Sequence, residues 1–437
     1  MTLKFGTDGV RGRAYAELTL ADVERLAVVA GEALGGDAMI VGTDTRESGP
    51  DFVAAIARGL GRNGIETWSM GDTPTPAVAR GAATHGIAGV MVSASHNPYH
   101  DNGIKFFAPG GRKLTDVQQE LFEFRLGELG DLAPVPNVDV IDRPALLTEY
   151  IDSVVSSIDG RSLDGLRIGV DCANGSASGV APDVLAGLGA ELVTIHGQPN
   201  GRNINDHSGS TDMKRLQALV ADGNSEIGIA FDGDADRVLG VDADGGFIDG
   251  DQLIGICAID RHRRSLLTGA TVAVTVMTNL GFHQGMDRQG IHVHQTLVGD
   301  RHVLRALEDN AWSLGGEQSG HVIFADFATT GDGLLTAVQL LDTVARSGRT
   351  LADLADEAMT RLPQRLRNVE VSGSASDAME WLSNDIARVA ETLGDTGRLL
   401  VRPSGTEPLI RVMAEAPTQA DADRAVDDLV TVLHRRS

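Results

Sequence analysis

Between Thr19 and Gly35 apolar residues recur at Leu20, Val23, Leu26, Ala27, Ala30, Ala33 and Leu34, the spacing that lines one face of a helix. Thr19 stands where an N-cap hydroxyl belongs and Gly35 where a helix stops, so a helix is predicted between them. An apolar run at 38–42 reads as a strand. It is followed by a helical pattern over about 49–62, a run at 65–70, a helix after Pro74 and a run at 87–92. Strands and helices alternating across short loops predict a mixed α/β sheet. The rhythm restarts at 166–170, with a helix ending at 188, a strand at 192–195, a helix at 212–221 and a strand at 226–231. It restarts again at 271–276 and closes on a helix at Gly333–Ser347. From Leu366 the order changes to a strand, a helix at Ala375–Leu393, strands at 398–402 and 409–414, and a last helix from Thr418.

Stretches 131–143 and 261–269 read as linkers. The expected architecture is three mixed-sheet α/β domains, at 1–150, 151–255 and 256–365, and a smaller C-terminal α+β domain at 366–437. With 437 residues, 42% hydrophobic and 22% charged, the composition is globular and excludes a disordered or fibrous chain. A net charge of −24 disfavours nucleic acid and anionic membranes as partners. Cys172 and Cys257 are the two cysteines, so no disulfide framework is expected. The first residues lack an apolar signal-like core and no run reaches about 18 apolar residues, which predicts a cytoplasmic protein.

Four loops carry candidate chemistry. Asp232-Gly-Asp-Ala-Asp-Arg237 directly follows an apolar run. On an extended segment, Asp232, Asp234 and Asp236 point to one side, where three carboxylates repel unless a hard cation such as Mg²⁺ sits among them. An EF-hand is excluded, because its glycine and glutamate positions fall on Arg237 and Ala243. Ser93-Ala-Ser95-His-Asn-Pro98, followed by Asp101-Asn-Gly-Ile-Lys105, puts a small hydroxyl in a turn at a strand end. No Gly-x-Ser-x-Gly elbow supports a hydrolase triad. Arg402-Pro-Ser404-Gly405-Thr406-Glu-Pro-Leu-Ile-Arg411 combines guanidinium forks, hydroxyls and a glycine-freed backbone, the donors a phosphate dianion needs. Gly315-Gly-Glu317-Gln-Ser319-Gly-His321 is a polar, glycine-bounded loop.

Together with Phe5-Gly-Thr-Asp-Gly-Val-Arg11-Gly these motifs resemble, in order and over essentially the whole chain, the α-D-phosphohexomutases. Gln318, Val276-Met-Thr-Asn-Leu-Gly281, Val298-Gly-Asp-Arg301 and Thr329-Thr-Gly-Asp-Gly333 resemble the bacterial phosphoglucosamine mutases most. His302 stands where the family pattern has Tyr. The resemblance implies an isomerase that interconverts glucosamine 6-phosphate and glucosamine 1-phosphate for cell-wall precursors. The nearest alternative is a phosphomannomutase or phosphoglucomutase of the same chemistry. It implies a phosphoryl group on Ser95, one Mg²⁺ per chain held by Ser95, Asp232, Asp234 and Asp236, and a hexose 1,6-bisphosphate as intermediate and activator. It also implies that Arg11, Lys105 and His321 surround the phosphoserine, with Lys105 or His321 moving a proton at the sugar hydroxyl. Arg237, Glu317 and Ser319 would contact the sugar phosphate, and Arg402, Ser404, Gly405, Thr406 and Arg411 the phosphate that is not reacting. The partner is then a small hexosamine phosphate, with no nucleic acid or membrane, in a monomer or homodimer. One loop per domain implies a central cleft, its basic residues forming a positive funnel in an acidic chain. A phosphatase or a non-catalytic sugar-phosphate sensor is the competing class; retention of Ser95 and all three aspartates speaks against the sensor.

Overall fold

The computed structural model describes residues 3–6, 8–371, 375–403 and 409–436. Thr19 caps the helix Leu20–Leu34 in a capping box with Asp22, and Gly35 ends it at φ 65°. Its apolar face packs on the helix Gly49–Gly61 and on the first sheet through Val23, Leu26, Ala27, Phe52 and Ile56. The central strands of that sheet, Ala88–Val92, Ala38–Thr43 and Glu66–Asp72, run parallel. Asp101–Ala108 and Val10–Arg13 extend it antiparallel on one side. On the other side Val140–Asp142 pairs parallel with Glu66–Asp72, so the stretch expected to be a linker gives the sheet an edge strand.

The second sheet orders Phe247–Ile248, Val238–Val241, Ile227–Phe231, Arg167–Asp171 and Glu191–Ile195. The third orders His292–Thr296, Thr271–Thr275, Leu314–Gly316 and Val322–Phe324. Both mix parallel and antiparallel pairs, as the alternating pattern predicts. The helix Gly250–Arg263 runs through residue 256, so the expected break there falls inside a helix. Arg261, placed in a linker, is buried in that helix and paired with Asp326.

Two compact units emerge, Met1–Met277 with Gly290–Glu357, and Thr278–Gln289 with Ala358–Ser437. The second carries an antiparallel sheet in the order Gln364–Glu370, Leu409–Glu415, Arg398–Pro403, covered by helices Ala375–Leu393 and Gln419–Arg436. Residues 278–289, expected in the third domain, belong to this unit. Buried Glu415 accepts from the Leu280 N–H at 2.8 Å and from Asn279 Nδ2 at 3.3 Å, fixing the start of the helix Leu280–Arg288. Among the described residues no helix is long and apolar enough to cross a membrane.

Candidate active site

In the first unit each sheet ends a strand in a loop that carries chemistry, the usual place for a ligand in α/β proteins. Ser95 follows Ala88–Val92, Asp232 follows Ile227–Phe231, and residues 317–321 join Leu314–Gly316 to Val322–Phe324. Ser95 is 1% exposed and sits at φ 51°. Its hydroxyl donates to Asp232 Oδ2 at 2.6 Å and lies 3.3 Å from His96 Nδ1.

Asp232, Asp234 and Asp236 are buried and offer oxygens that all lie within 4.8 Å of one another. They converge through a turn rather than along an extended segment, which corrects the expectation. The strand stops at Phe231, the Ala235 N–H returns to the Asp232 carbonyl at 3.1 Å, and Ala235 adopts φ 56°. Gly233 lets this turn meet the serine loop, since a Cβ there would lie 2.5 Å from the Ser95 carbonyl oxygen. Asp234 Oδ1 and Asp236 Oδ1 are buried without a hydrogen-bond partner, a costly state for carboxylates unless a cation meets them. An all-oxygen donor set of this kind fits Mg²⁺. Burial, with Asp236 and Asp234 alongside, pushes the Asp232 carboxyl well above the usual range. Burial acts the same way on Asp236, but Lys105, His321 and Arg237 outweigh it and hold that carboxyl well below.

Lys105 Nζ contacts Asp234 at 2.6 Å, Asp8 at 2.7 Å and Asp236 at 3.5 Å. Burial opposes its charge, yet Asp234, Asp8 and Asp236 hold its pKa far above the ordinary value. Lys105 thus stands as a cation among these carboxylates. His321 Nδ1 lies 3.7 Å from Asp236 and Nε2 3.6 Å from Asp300. Burial lowers its pKa, but the two carboxylates raise it on balance. The Gly331 N–H donates to Nε2 at 3.1 Å and favours the neutral ring, leaving Nδ1–H toward Asp236. Burial, Arg237 and Arg11 push His96 down to about 4, so it is neutral at pH 7.

Arg11, His96, Arg237, Glu317 and His321 line one cavity of about 460 Å³, large enough for a hexose phosphate. Glu317 Oε1 is anchored by the Gly299 N–H at 3.0 Å. Gln318 points elsewhere, toward Asp249 and Asp251 at 3.3 Å. Ser319 is exposed and does not line the cavity. In the second unit Arg402 and Arg411 are direct cross-strand partners. Burial, with Arg411 opposite, holds the Arg402 pKa below its ordinary value. Ser404, Gly405 and Thr406 lie outside the described residues.

The basic loops expected to form a positive funnel are divided between the two units. In the first, among the described residues, Arg11, Lys105, Lys113 and Arg237 pair with Asp8, Asp234, Asp236 and Asp300. Asp8, Lys113 and Asp300 were missed as site residues, although Asp8 and Asp300 lie inside motifs already singled out. Asp44 and Arg46, also missed, follow the strand Ala38–Thr43, where the strand-end rule would have found them.

Comparison with known proteins adds the following. Profiles of phosphoglucomutase/phosphomannomutase alpha/beta/alpha domains I, II and III match residues 2–125, 148–246 and 249–362, and that of the C-terminal domain matches 349–432. A phosphoglucosamine mutase from Frankia alni is 48% identical over 99% of this chain and 98% of its own length. A phosphoglucomutase/phosphomannomutase family protein from Burkholderia thailandensis superposes with TM-score 0.82 at 27% identity, covering 98% of this chain and 97% of that one. An Aspergillus fumigatus N-acetylphosphoglucosamine mutase, solved with GlcNAc-6P and magnesium, shares the fold at TM-score 0.67 and 19% identity, covering 100% of this chain and 96% of that one.

Proposed function

This chain belongs to the phosphoglucomutase/phosphomannomutase family, and on that premise we propose that it is a phosphoglucosamine mutase, interconverting glucosamine 6-phosphate and glucosamine 1-phosphate. The observation that carries the reading is the Ser95 hydroxyl held 2.6 Å from Asp232 inside a cluster of three buried aspartates. In the working enzyme Ser95 carries a phosphoryl group. The Ser95 Oγ–P bond breaks as a P–O bond forms to the free hydroxyl of the bound sugar phosphate, whose proton leaves. The product is a 1,6-bisphosphate. After it turns over, its other phosphate returns to Ser95 and the isomer departs.

Asp232, Asp234 and Asp236, with Ser95, would hold Mg²⁺, which would supply charge neutralisation for the phosphoryl oxygens. Lys105 balances the aspartates behind the reacting group, while Arg11 and Arg237 face the cavity and stabilise charge that builds there. His321 suits proton transfer better than Lys105, because His321 lines the cavity and Lys105 does not. Glu317 accepts hydrogen bonds from ring hydroxyls, and a sugar that fails to make them leaves a half-buried carboxylate oxygen unpaired. Arg402 and Arg411, with the loop between them, take the distal phosphate. The two buried free cysteines support a reducing compartment, and we place the enzyme in the cytoplasm.

The test is a side-by-side assay of glucosamine, glucose and mannose phosphates with bisphosphate activator. Isomerisation of glucosamine phosphate is expected to be fastest, with slower turnover of glucose phosphate. Ser95→Ala should abolish turnover, and intact mass should place one phosphoryl group on the Ser95 peptide of the parent. Release of free phosphate without isomer would mean a phosphatase. Preference for mannose phosphate would overturn the choice of sugar.

A further inference from the structure

The serine loop is gripped from behind by side chains that reach neither Ser95 Oγ nor the cavity. Arg46 is 2% exposed. Its Nη2 donates to the carbonyls of Ser95 at 3.0 Å and Asn97 at 2.8 Å, and its Nη1 to those of Asp101 at 2.9 Å and Pro98. Its Nε donates to Asp44 at 2.8 Å. Asp44 accepts from the Ser93 hydroxyl at 2.6 Å, and Ser93 Oγ accepts the Ser95 N–H at 2.8 Å. From the second sheet's side, Asn205 Nδ2 donates to the same carbonyls of Ser95 at 2.8 Å and Asn97 at 3.0 Å. Both carbonyls thus receive two donors. Ser95 is kept at φ 51°, a conformation that a residue with a Cβ adopts only under such restraint.

We propose that Arg46 and Asn205 are positioning residues for phosphoryl transfer: they hold the Ser95 backbone in one place whether its oxygen is bare or phosphorylated. The proposal rests on the mutase reading. In each catalytic cycle Ser95 alternates between a neutral hydroxyl and a group of about two negative charges. The hydroxyl's bond to Asp232 exists only in the first state, because a phosphorylated oxygen has no proton to donate. In the second state that hydrogen bond is lost, so the serine's own side chain no longer ties the loop to Asp232 directly. Hydrogen bonds to the backbone carbonyls do not depend on what Oγ carries. Six of them come from a buried guanidinium and an amide, neither of which changes charge during turnover.

Two variants test this. Asn205→Gly tolerates the local φ of 58° and removes the Nδ2 donors together with a side-chain oxygen that has no hydrogen-bond partner. Arg46→Lys keeps a cation beside Asp44 but cannot reach four carbonyls at once. Each is assayed well below its own melting temperature for kcat and KM with glucosamine 6-phosphate, and the ³¹P resonance of its phosphoserine is compared with the parent's. The expected result is a kcat lower by roughly 10- to 100-fold, as for a reacting group displaced by about 1 Å, with KM little changed and a shifted or broadened resonance. A folded Asn205→Gly enzyme with parental kcat and an unmoved resonance overturns the proposal, as does a change confined to KM. If Arg46→Lys does not fold, Asn205→Gly decides alone. A parent that isomerises no hexose phosphate defeats the mutase reading instead, and shows itself before any variant is made.

Discussion

Lys105 places one ammonium among Asp8, Asp234 and Asp236 at 3% side-chain exposure. Removing one member of so buried a network leaves the others uncompensated, at a cost of about 3–5 kcal/mol. Lys105→Ala should therefore lower stability by that order, and added Mg²⁺ should recover part of the loss by taking over the compensation of Asp234 and Asp236. Thermal melts with and without the cation check this, and a loss below about 1 kcal/mol would show that the carboxylates do not depend on Lys105. Ser95 and the three aspartates were legible in the sequence because each motif is contiguous and its chemistry unusual. The roles of their partners were not. Lys105 reads as a candidate base from its motif, while its carboxylate partners Asp8 and Asp234 lie about a hundred positions or more away in the chain. Arg46 reads as an ordinary surface arginine until the fold buries it.

At the next scale the cap of the helix Gly333–Ser347 holds a testable strain. Asp332 accepts from the Leu335 N–H and from the Tyr150 hydroxyl, both at 2.9 Å, yet burial pushes its carboxyl up to about 6. A carboxyl whose pKa is raised on folding favours the native state below its ordinary value of 3.8, and that advantage is lost as pH rises through 6. Asp332→Asn keeps both hydrogen-bond acceptances and never ionises. The variant should match the parent near pH 4 and exceed it by about 2–3 kcal/mol above pH 6.5, as urea unfolding at the two pH values can read. A variant no more stable at pH 7 contradicts the cost of the buried charge. Capping and periodicity made such elements legible: Gly333–Ser347 and Ala375–Leu393 lie where the pattern puts them. What the pattern misses is association. The helix Leu280–Arg288 has ordinary amphipathic spacing, and its place with the C-terminal sheet rests on Glu415 and on Gly285, where a Cβ would lie 1.9 Å from the Ala358 carbonyl oxygen.

Across the whole molecule a net charge of −24 must accommodate a phosphorylated serine and an anionic substrate. In the first unit the described Arg11, Lys105 and Lys113 are already paired with carboxylates, so they offer little spare positive charge to a phosphorylated serine. A divalent cation among the aspartates changes that balance, and by mass action its binding must appear in the stability of the folded chain. At a cation concentration 100 times its Kd the native state gains about 2.7 kcal/mol over a chain unfolded and unable to bind. Mg²⁺ should thus raise the melting temperature of the unit that carries Asp232, Asp234 and Asp236, and chelator should reverse both the rise and the activity. Asp234→Asn offers the same site an amide oxygen in place of a carboxylate, a poorer partner for a hard cation. It also loses the full charge opposite Lys105, so its melting temperature without metal should fall on its own account. The decisive quantity is consequently the increment on adding Mg²⁺, expected to be several degrees in the parent and near zero in the variant over the same concentrations. An increment that survives Asp234→Asn unchanged would place the cation elsewhere in the chain, and the charge balance of the serine site would need another source.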